Sequence, residues 1–413
     1  MNEGGKNYIL PQAKQEQIAQ FLRDQDENSA PEVINVVMSY LAETGASDVF
    51  FEPANDSGII RARIDGVVHY VLMVDQELFT NIISRLKVMA GLDITMHTSS
   101  QEGKINFDFE THAVNARVAL ANTVNGEFLV LRLHDSSNAV TDITQIGLTG
   151  TSAERYNTLL KSRSGLLLVC GPTGSGKTST LYSSLQALND GHRNVVSIED
   201  PVEYNLPGVN QMQVDIEREV TFAEGLKVIL RLNPDIIFVG EIRDPDTAHI
   251  SVEAALTGHL VMSTIHANSA ISAISRLIDL NINTFFINSS LIGAISQRLV
   301  RKTCTQCGKE TAPTAEEADF YQRVTGRVLT SQMVGQGCEV CARTGFKGRV
   351  AIFEVMAVDE SIRQLITKGS SERQITQALI QSGYTTLLYD GMTKVDQKIT
   401  TVREVISSAF VSN

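Results

Sequence analysis

The sequence predicts an α/β protein in which a mostly parallel sheet flanked by helices follows a smaller α+β domain. Three observations carry that prediction. Short apolar runs alternate with helix-period segments beyond residue 140, a glycine-rich loop joins one such run to a helix, and the region before residue 135 reads as hairpins with a helix among them. The chain has 413 residues, 43% of them hydrophobic. That is enough for two or more cores, since single domains hold roughly 100–200 residues.

Taken in order, residues 1–29 are polar and rich in Gln and Asp, which fits a flexible arm. Ser29-Ala30-Pro31-Glu32 has the form of a capping box, and Ile34, Val37, Met38 and Leu41 follow at helical spacing. Asp48–Phe51 and the alternating run Ile60–Ile64 predict strands, and Asp65-Gly66 turns the second back into Val67–Tyr70. A helix over 76–91 and strands near 105–109, 113–121 and 127–133 complete an α+β domain at 30–135. A polar linker at 136–143 leads to a second domain at 144–300. Its strands are expected at Leu166–Cys170, Val195–Ile198, Ile236–Val239 and Leu260–Thr264, apolar runs of the kind buried on both faces of a sheet. Residues 301–350, with four of the five cysteines, read as a separate module, and 351–413 as a helical C-terminal region.

A net charge of −12 and a pI near 5.2 argue against a nucleic-acid coat, which needs a basic face to displace counterions. No apolar run approaches the ~20 residues that span a bilayer, and the N-terminus lacks the basic start and apolar core of an export signal. The expectation is a cytoplasmic protein that meets a membrane only through partners.

Gly171-Pro172-Thr173-Gly174-Ser175-Gly176-Lys177-Thr178 follows the apolar run Leu166–Cys170 and precedes the helix-like Ser179–Leu188, the context a phosphate-binding loop requires. Its backbone N–H groups would curl around phosphate oxygens at a helix N-terminus, with Lys177 on the β- and γ-phosphates of ATP and the Thr178 hydroxyl on Mg²⁺. The plain alternative is a structural glycine loop. Ile236–Val239 delivers Gly240-Glu241 at the strand end where open α/β sheets place ligands, so Glu241 could orient the attacking water; otherwise it is a surface Glu. Glu199, Asp200 and Glu203 crowd three carboxylates after another strand, a repulsion most easily offset beside Mg²⁺-nucleotide, unless they are idle loop acids. His266 ends a further strand and could sense the γ-phosphate or serve structure alone.

The two pairs Cys304-x-x-Cys307 and Cys338-x-x-Cys341 have the form of a closed four-thiolate Zn²⁺ site, structural because no position stays open; four unligated thiols are the alternative. Arg298, Arg301, Lys302, Arg343, Lys347 and Arg349 surround it with positive charge, and Cys170 reads as a small core residue.

GPTGSGKT, IEDPVE, LNPDIIF with GEIRD, and GHLVMSTIHAN, in this order, resemble the Walker A, Asp, Walker B and His boxes of the type II/IV secretion ATPase superfamily. GASDVFFEP and RARIDGVV near the start, QRLVRKTC, GFKGRVAIFEVM and the tail DGMTKVDQKITTVREV extend the resemblance over most of the chain. It implies a RecA-like P-loop NTPase domain, a PAS-like N-terminal α+β domain, a zinc module and a helical tail. It implies ATP hydrolysis by a homo-hexamer that drives pilin or pseudopilin assembly or protein secretion through an inner-membrane platform protein, with peripheral membrane association. Glu241, Glu203 and His266 would act at the phosphates with Asp200 nearby, and arginines from stretches holding Arg63, Arg117 and Arg132 would reach them across a subunit boundary, with Arg231 and Arg243 as further candidates. Where relatives often read DGR, this chain has Glu102-Gly103-Lys104, and Lys lacks the bidentate fork. A tetracysteine insert favours the assembly direction. The long N-terminal extension by which larger relatives dock has no counterpart within residues 1–30, which implies a different docking surface. Two other classes remain: a DNA-dependent RecA-like translocase, which the acidic charge and the lack of a basic-aromatic stripe oppose, with no direct nucleic acid expected, and a non-hydrolysing scaffold, which the intact motifs oppose.

Overall fold

The computed structural model describes residues 8–23, 29–109, 113–134 and 142–409. Two compact units divide them: one takes the chain up to and including Ala139 together with Arg301–Glu310 and Val334–Gly348, the other Val140–Val300, Thr311–Met333 and Arg349 onward. Most of the expected linker, residues 136–141, lies outside the described residues.

In the first unit, helices α1 (Gln12–Arg23), α2 (Ser29–Glu43) and α3 (Gln76–Met89) accompany strands β1 (Ala46–Pro53), β2 (Ser57–Ile64), β3 (Val67–Asp75), β4 (Gln101–Asp108), β5 (Ala113–Thr123) and β6 (Gly126–His134). The strands form one antiparallel sheet in the order β3-β2-β1-β6-β5-β4. Alternation decides its faces: Ile60, Ala62 and Ile64 of β2 and Val114, Ala116, Val118 and Leu120 of β5 are buried, with polar residues between them. Val33, Ile34, Val37, Met38 and Leu41 of α2, each 2% exposed or less, join the same core. Asp75 caps α3 by accepting the Leu78 N–H at 2.9 Å.

Part of the expected flexible arm is folded. Residues 1–7 and 24–28 lie outside the described residues, but the Ile9 N–H donates to the Tyr70 carbonyl at the β3 edge, Gln12–Arg23 is helical, and Ile9, Leu10 and Ile18 are buried. Three apolar side chains in a polar stretch are enough to seat it, a signal too sparse for periodicity to reveal.

The second unit begins at α4 (Gly150–Leu160) and continues through β7 (Gly165–Cys170), α5 (Lys177–Leu188), β8 (Val195–Glu199), β9 (Asn210–Gln213), α6 (Phe222–Ile229), β10 (Ile236–Ile242), α7 (Pro245–Leu256), β11 (Leu260–Ile265), α8 (Ser272–Asp279) and α9 (Thr284–Ser290). The chain then forms β12 (Leu291–Thr303), β13 (Gly308–Thr311), α10 (Ala315–Thr325), β14 (Gln332–Gly335) and β15 (Phe346–Ala357), and ends in α11 (Glu360–Thr367), α12 (Glu372–Gln381), α13 (Leu387–Asp396) and α14 (Val402–Ala409). The main sheet runs β15-β12-β7-β11-β10-β8-β9, with parallel pairing from β12 through β9. Burial on both faces explains its continuous apolar runs: Leu166, Leu168 and Cys170 of β7 enter one core, Leu167 and Val169 the other. A further core gathers Val300, Tyr321, Leu329 and Ile352 with Leu387, Met392, Val395, Val402 and Val405 of α13 and α14. No helix of the described residues is long and apolar enough to cross a membrane.

The sequence reading set 301–350 apart as one module. By compactness its cysteine-bearing segments group with the first unit, where Ala342 joins the core, and Thr311–Met333 with the second.

Gly58 of β2 lies under the ring of Phe79 of α3, and a Cβ there would sit 1.9 Å from its Cδ2. Gly58→Ala is expected to destabilise the first unit by about 1–3 kcal/mol, read as a lower urea midpoint for that unit, with part of the loss restored by a smaller side chain in Phe79→Leu.

Candidate functional site

Strand β7 ends at Cys170, which is fully buried, and the burial drives its thiol well above the ordinary range. The chain then turns through Gly171, Gly174 and Gly176 at φ 150°, 78° and 87° and enters α5 at Lys177. Two of these positions exclude a side chain by contact as well as by φ. A Cβ at Gly171 would lie 2.7 Å from the Gln297 carbonyl of β12, and one at Gly176 2.7 Å from Gln297 Nε2. Gln297 is buried and accepts the Thr180 hydroxyl hydrogen at 2.7 Å, which locks the first turn of α5 to β12. Lys177 Nζ donates to the carbonyls of Gly171 (2.9 Å) and Pro172 (3.0 Å), and burial holds its pKa below the usual lysine value. Ser175 is buried with its hydroxyl unpartnered. Free N–H groups at a helix start, a cation beside them and an orphaned hydroxyl inside the loop together fit a phosphate chain. Thr173 and Gly174 are exposed, Pro172 and Thr178 half-buried.

Parallel pairing places the ends of β8, β10 and β11 on the same edge as this loop. The Glu241 carboxylate, only 13% exposed, pairs with Arg243 and lies 3.7 Å from His266 Nε2. Thr264 and Ser263 hydroxyls donate to the carbonyls of Gly240 (2.8 Å) and Val239 (2.7 Å), fixing β10 to β11 just before both side chains emerge. The three carboxylates at and beyond the end of β8 separate. Glu199 turns inward and accepts the hydroxyls of Ser197 (2.6 Å) and Tyr182 and the Gln211 amide (3.0 Å), so it is a satisfied core acid. Asp200 is exposed at a hollow of about 680 Å³ lined by Met212 to Arg218. Glu203 is exposed, and its N–H donates to the Tyr182 hydroxyl at 3.3 Å. Tyr182, whose phenol is driven up by burial and then by the Glu199 carboxylate, thus ties the acidic loop to α5.

The N-terminal arginines stand in the first unit. Cross-strand neighbours on the sheet's outer face run Lys104, Arg117, Arg132, Asp48, Arg63. Asp48 accepts from Arg132 at 3.2 Å and pairs with Arg63 at 3.3 Å. The four cysteines also meet in this unit, with sulfur separations of 3.9 Å for Cys304–Cys338, 3.8 Å for Cys307–Cys341 and 3.7 Å for Cys338–Cys341. A tetrahedral ion with metal–sulfur bonds of about 2.3 Å needs edges of about 3.8 Å, so the cluster fits one metal ion. Burial would raise the Cys341 thiol, but backbone N–H groups of Cys338 (3.2 Å) and Gly345 (3.3 Å) aim at its sulfur and hold it down to about 7. Of the cations expected around the cluster, Arg298 is a correction: it is 5% exposed and bonds backbone carbonyls in the second unit, because its strand position faces the core. Arg301 stacks on Phe346 at 4.2 Å.

With this geometry in place, the comparisons with known proteins are decisive. The sequence profile of the family described as Type II/IV secretion system protein matches residues 23–407. The chain belongs to that family. Its relatives include the type II secretion system protein E of Pseudomonas aeruginosa, 41% identical over 92% of this chain and 76% of that one. The type II secretion system ATPase E of Vibrio cholerae is 39% identical over 93% and 76%. Among solved structures, the Legionella pneumophila ATPase DotB superposes with a TM-score of 0.64 at 18% identity, over 98% of this chain and 97% of that one. The pilus retraction motor PilT with bound ADP gives 0.60 at 24%, over 92% and 97%. The RecA-like fold expected for this secretion-family chain is therefore present.

Sequence reasoning passed over Gln297 and Tyr182, both central to the loop's surroundings. A polar residue inside the apolar stretch of β12 was the available signal for Gln297; Tyr182, a buried aromatic on a helix, offered none.

Gln297→Leu keeps the volume but removes the bond to Thr180, and is expected to weaken nucleotide binding about 5- to 20-fold, in line with loss of one buried hydrogen bond, as read by fluorescent-nucleotide titration. Elemental analysis of the purified protein should find one metal ion per chain, lost in Cys338→Ser.

Proposed function

We propose that this chain hydrolyses ATP as the motor subunit of a type II secretion or type IV pilus machine. It works as a homo-hexamer on the cytoplasmic side of the inner membrane and reaches that membrane through a platform protein. The observation that carries the reading is the convergence, on one sheet edge, of the glycine loop with Lys177, the Glu241–His266 pair and the Asp200–Glu203 loop.

In this reading the loop N–H groups, the Ser175 hydroxyl and Lys177 bind the phosphates, and Thr178 is a protein ligand to Mg²⁺. Bound Mg²⁺ neutralises phosphate charge. Glu241 accepts the hydrogen bond of the attacking water and orients it, while Arg243 and His266 hold its carboxylate; His266 leaves that contact or keeps it according to the γ-phosphate beside it. Glu203 adds a second carboxylate at the same edge, with Asp200 nearby. Arg117 and Arg132 offer bidentate donors across the subunit boundary, and Lys104 beside them a point charge. Support for that role comes from the row itself: like charges directly opposite on neighbouring strands cost stability, and an anion relieves the cost. Zn²⁺ at the four cysteines is structural, since sulfur fills every position.

The decisive experiment measures Mg²⁺-dependent ATP turnover together with mass in solution. Glu241→Gln should lower turnover by about 10²-fold or more with the hexamer intact, and Arg117→Ala should lower turnover while nucleotide affinity of the isolated chain holds. DNA should have no effect; DNA-stimulated turnover would replace the motor reading by that of a translocase, and a non-hydrolysing wild-type hexamer in the presence of its platform protein would replace it by a scaffold.

A further inference from the structure

Behind the nucleotide edge, the second unit buries two opposite charges that the proposed chemistry leaves unused. Arg298 of β12 is 5% exposed and Glu354 of β15 is 8% exposed. Most of their hydrogen bonds go to the backbone; Arg298 Nη1 also reaches the Ser296 hydroxyl at 3.5 Å, and the Tyr384 phenol acts on the Glu354 carboxylate. Arg298 Nη2 donates to the Asn268 carbonyl at 2.9 Å, and Nη1 to the Gln297 carbonyl at 2.9 Å. Glu354 Oε1 accepts the Ala270 N–H at 2.7 Å, and Oε2 accepts the Leu387 N–H, at the start of α13, at 3.4 Å. Asn268 and Ala270 lie two and four residues beyond His266, so a cation grips the loop after β11 at a carbonyl and an anion grips it at an amide.

Stability alone does not call for this arrangement. Burying a guanidinium and a carboxylate costs several kcal/mol each, and apolar replacements of such groups are often neutral or stabilising. What the charges add is direction, because charge-assisted bonds to a fixed carbonyl and a fixed amide define where the loop between them lies.

We propose that Arg298 and Glu354, from the neighbouring strands β12 and β15, are positioning residues that clamp the loop from His266 to Ala270 at a carbonyl and at an amide, setting His266 against Glu241 and tying that loop to the first turn of α13. The inference rests on His266 acting at the phosphates, as proposed above. Gln297, the neighbour of Arg298, braces the glycine loop from the same strand, so β12 supports both the loop that holds phosphate and the loop that carries His266.

The test uses the full-length protein with Glu354→Gln, Arg298→Met, Arg298→Lys and His266→Ala, scoring ATP turnover, nucleotide affinity and hydrogen exchange. Glu354→Gln and Arg298→Met should speed exchange in a peptide covering residues 266–271 while exchange in the β7 peptide stays unchanged; unchanged exchange at 266–271 overturns the clamp whatever His266 does. Turnover in both should fall about 10-fold with nucleotide affinity within about 2-fold of wild type, as expected for loss of one charge-assisted bond, and Arg298→Lys should recover part of it. In a His266→Ala background, Glu354→Gln should lower turnover less than about 2-fold, because it acts through His266; a full further 10-fold loss overturns the positioning role. If His266→Ala alone keeps wild-type turnover, the reading of His266 fails, and the exchange result still decides the clamp.

Discussion

Gln297 occupies the space that side chains at Gly171 and Gly176 would need, and much of the nucleotide edge follows from that closeness. Because β12 pairs in parallel with β7, its backbone runs past the end of β7 as the chain turns away, and the loop passes Gln297 at Gly171 and Gly176, where a Cβ would collide. The Thr180 hydroxyl then finds Gln297 Oε1, so α5 starts where the loop leaves it. A lysine at the first position of that helix folds over the loop onto two carbonyls, which gives the ammonium partners in a place where burial disfavours its charge. Glycine spacing, helix start and lysine position are therefore one geometric solution.

The acids around this edge sort by how fully their oxygens are satisfied. Glu199 has three side-chain donors and is sealed in; its work is to hold Tyr182, which in turn holds the backbone of Glu203. Glu241 has basic partners but stays partly open to solvent, which leaves oxygen lone pairs for a water. Three carboxylates within five residues look alike as letters, and only the direction of each side chain divides structural from chemical acids.

That division marks how far the sequence was legible. The strands Val195–Ile198 and Leu260–Thr264 were expected within one residue of their observed ends, because burial on both faces writes itself as unbroken apolar runs. The order of the strands in the sheet, and with it the meeting of Glu241 and His266, rested on resemblance, since pairing between distant segments leaves no local pattern. Arg298 and Arg301 lie three residues apart in one strand stretch with similar neighbours, yet one is buried on backbone carbonyls and the other stacks on Phe346. Charge alone predicted surface for both. A buried charge becomes visible only when its distant partners, here Asn268 and Glu354, are known.

The cysteine cluster shows a cost that the identities of the strained residues conceal. After Cys341 the chain passes through Ala342 and Arg343 at φ 47° and 61°, left-handed positions that cost residues with a Cβ about 1 kcal/mol or more each. Nothing in their identity suggests this; Gly337 and Gly345, which flank the turn, are the residues that do. The strain has a visible return. Left-handed backbone at these two residues carries the chain around so that the Gly345 N–H faces the Cys341 sulfur, which also receives the Cys338 N–H from the turn before it, while Ala342 drops into the core of the first unit. Two backbone donors favour the thiolate form, the form that ligates metal. The side chain of Ala342, next in sequence to Cys341, therefore ties this ligand turn to the core of the first unit.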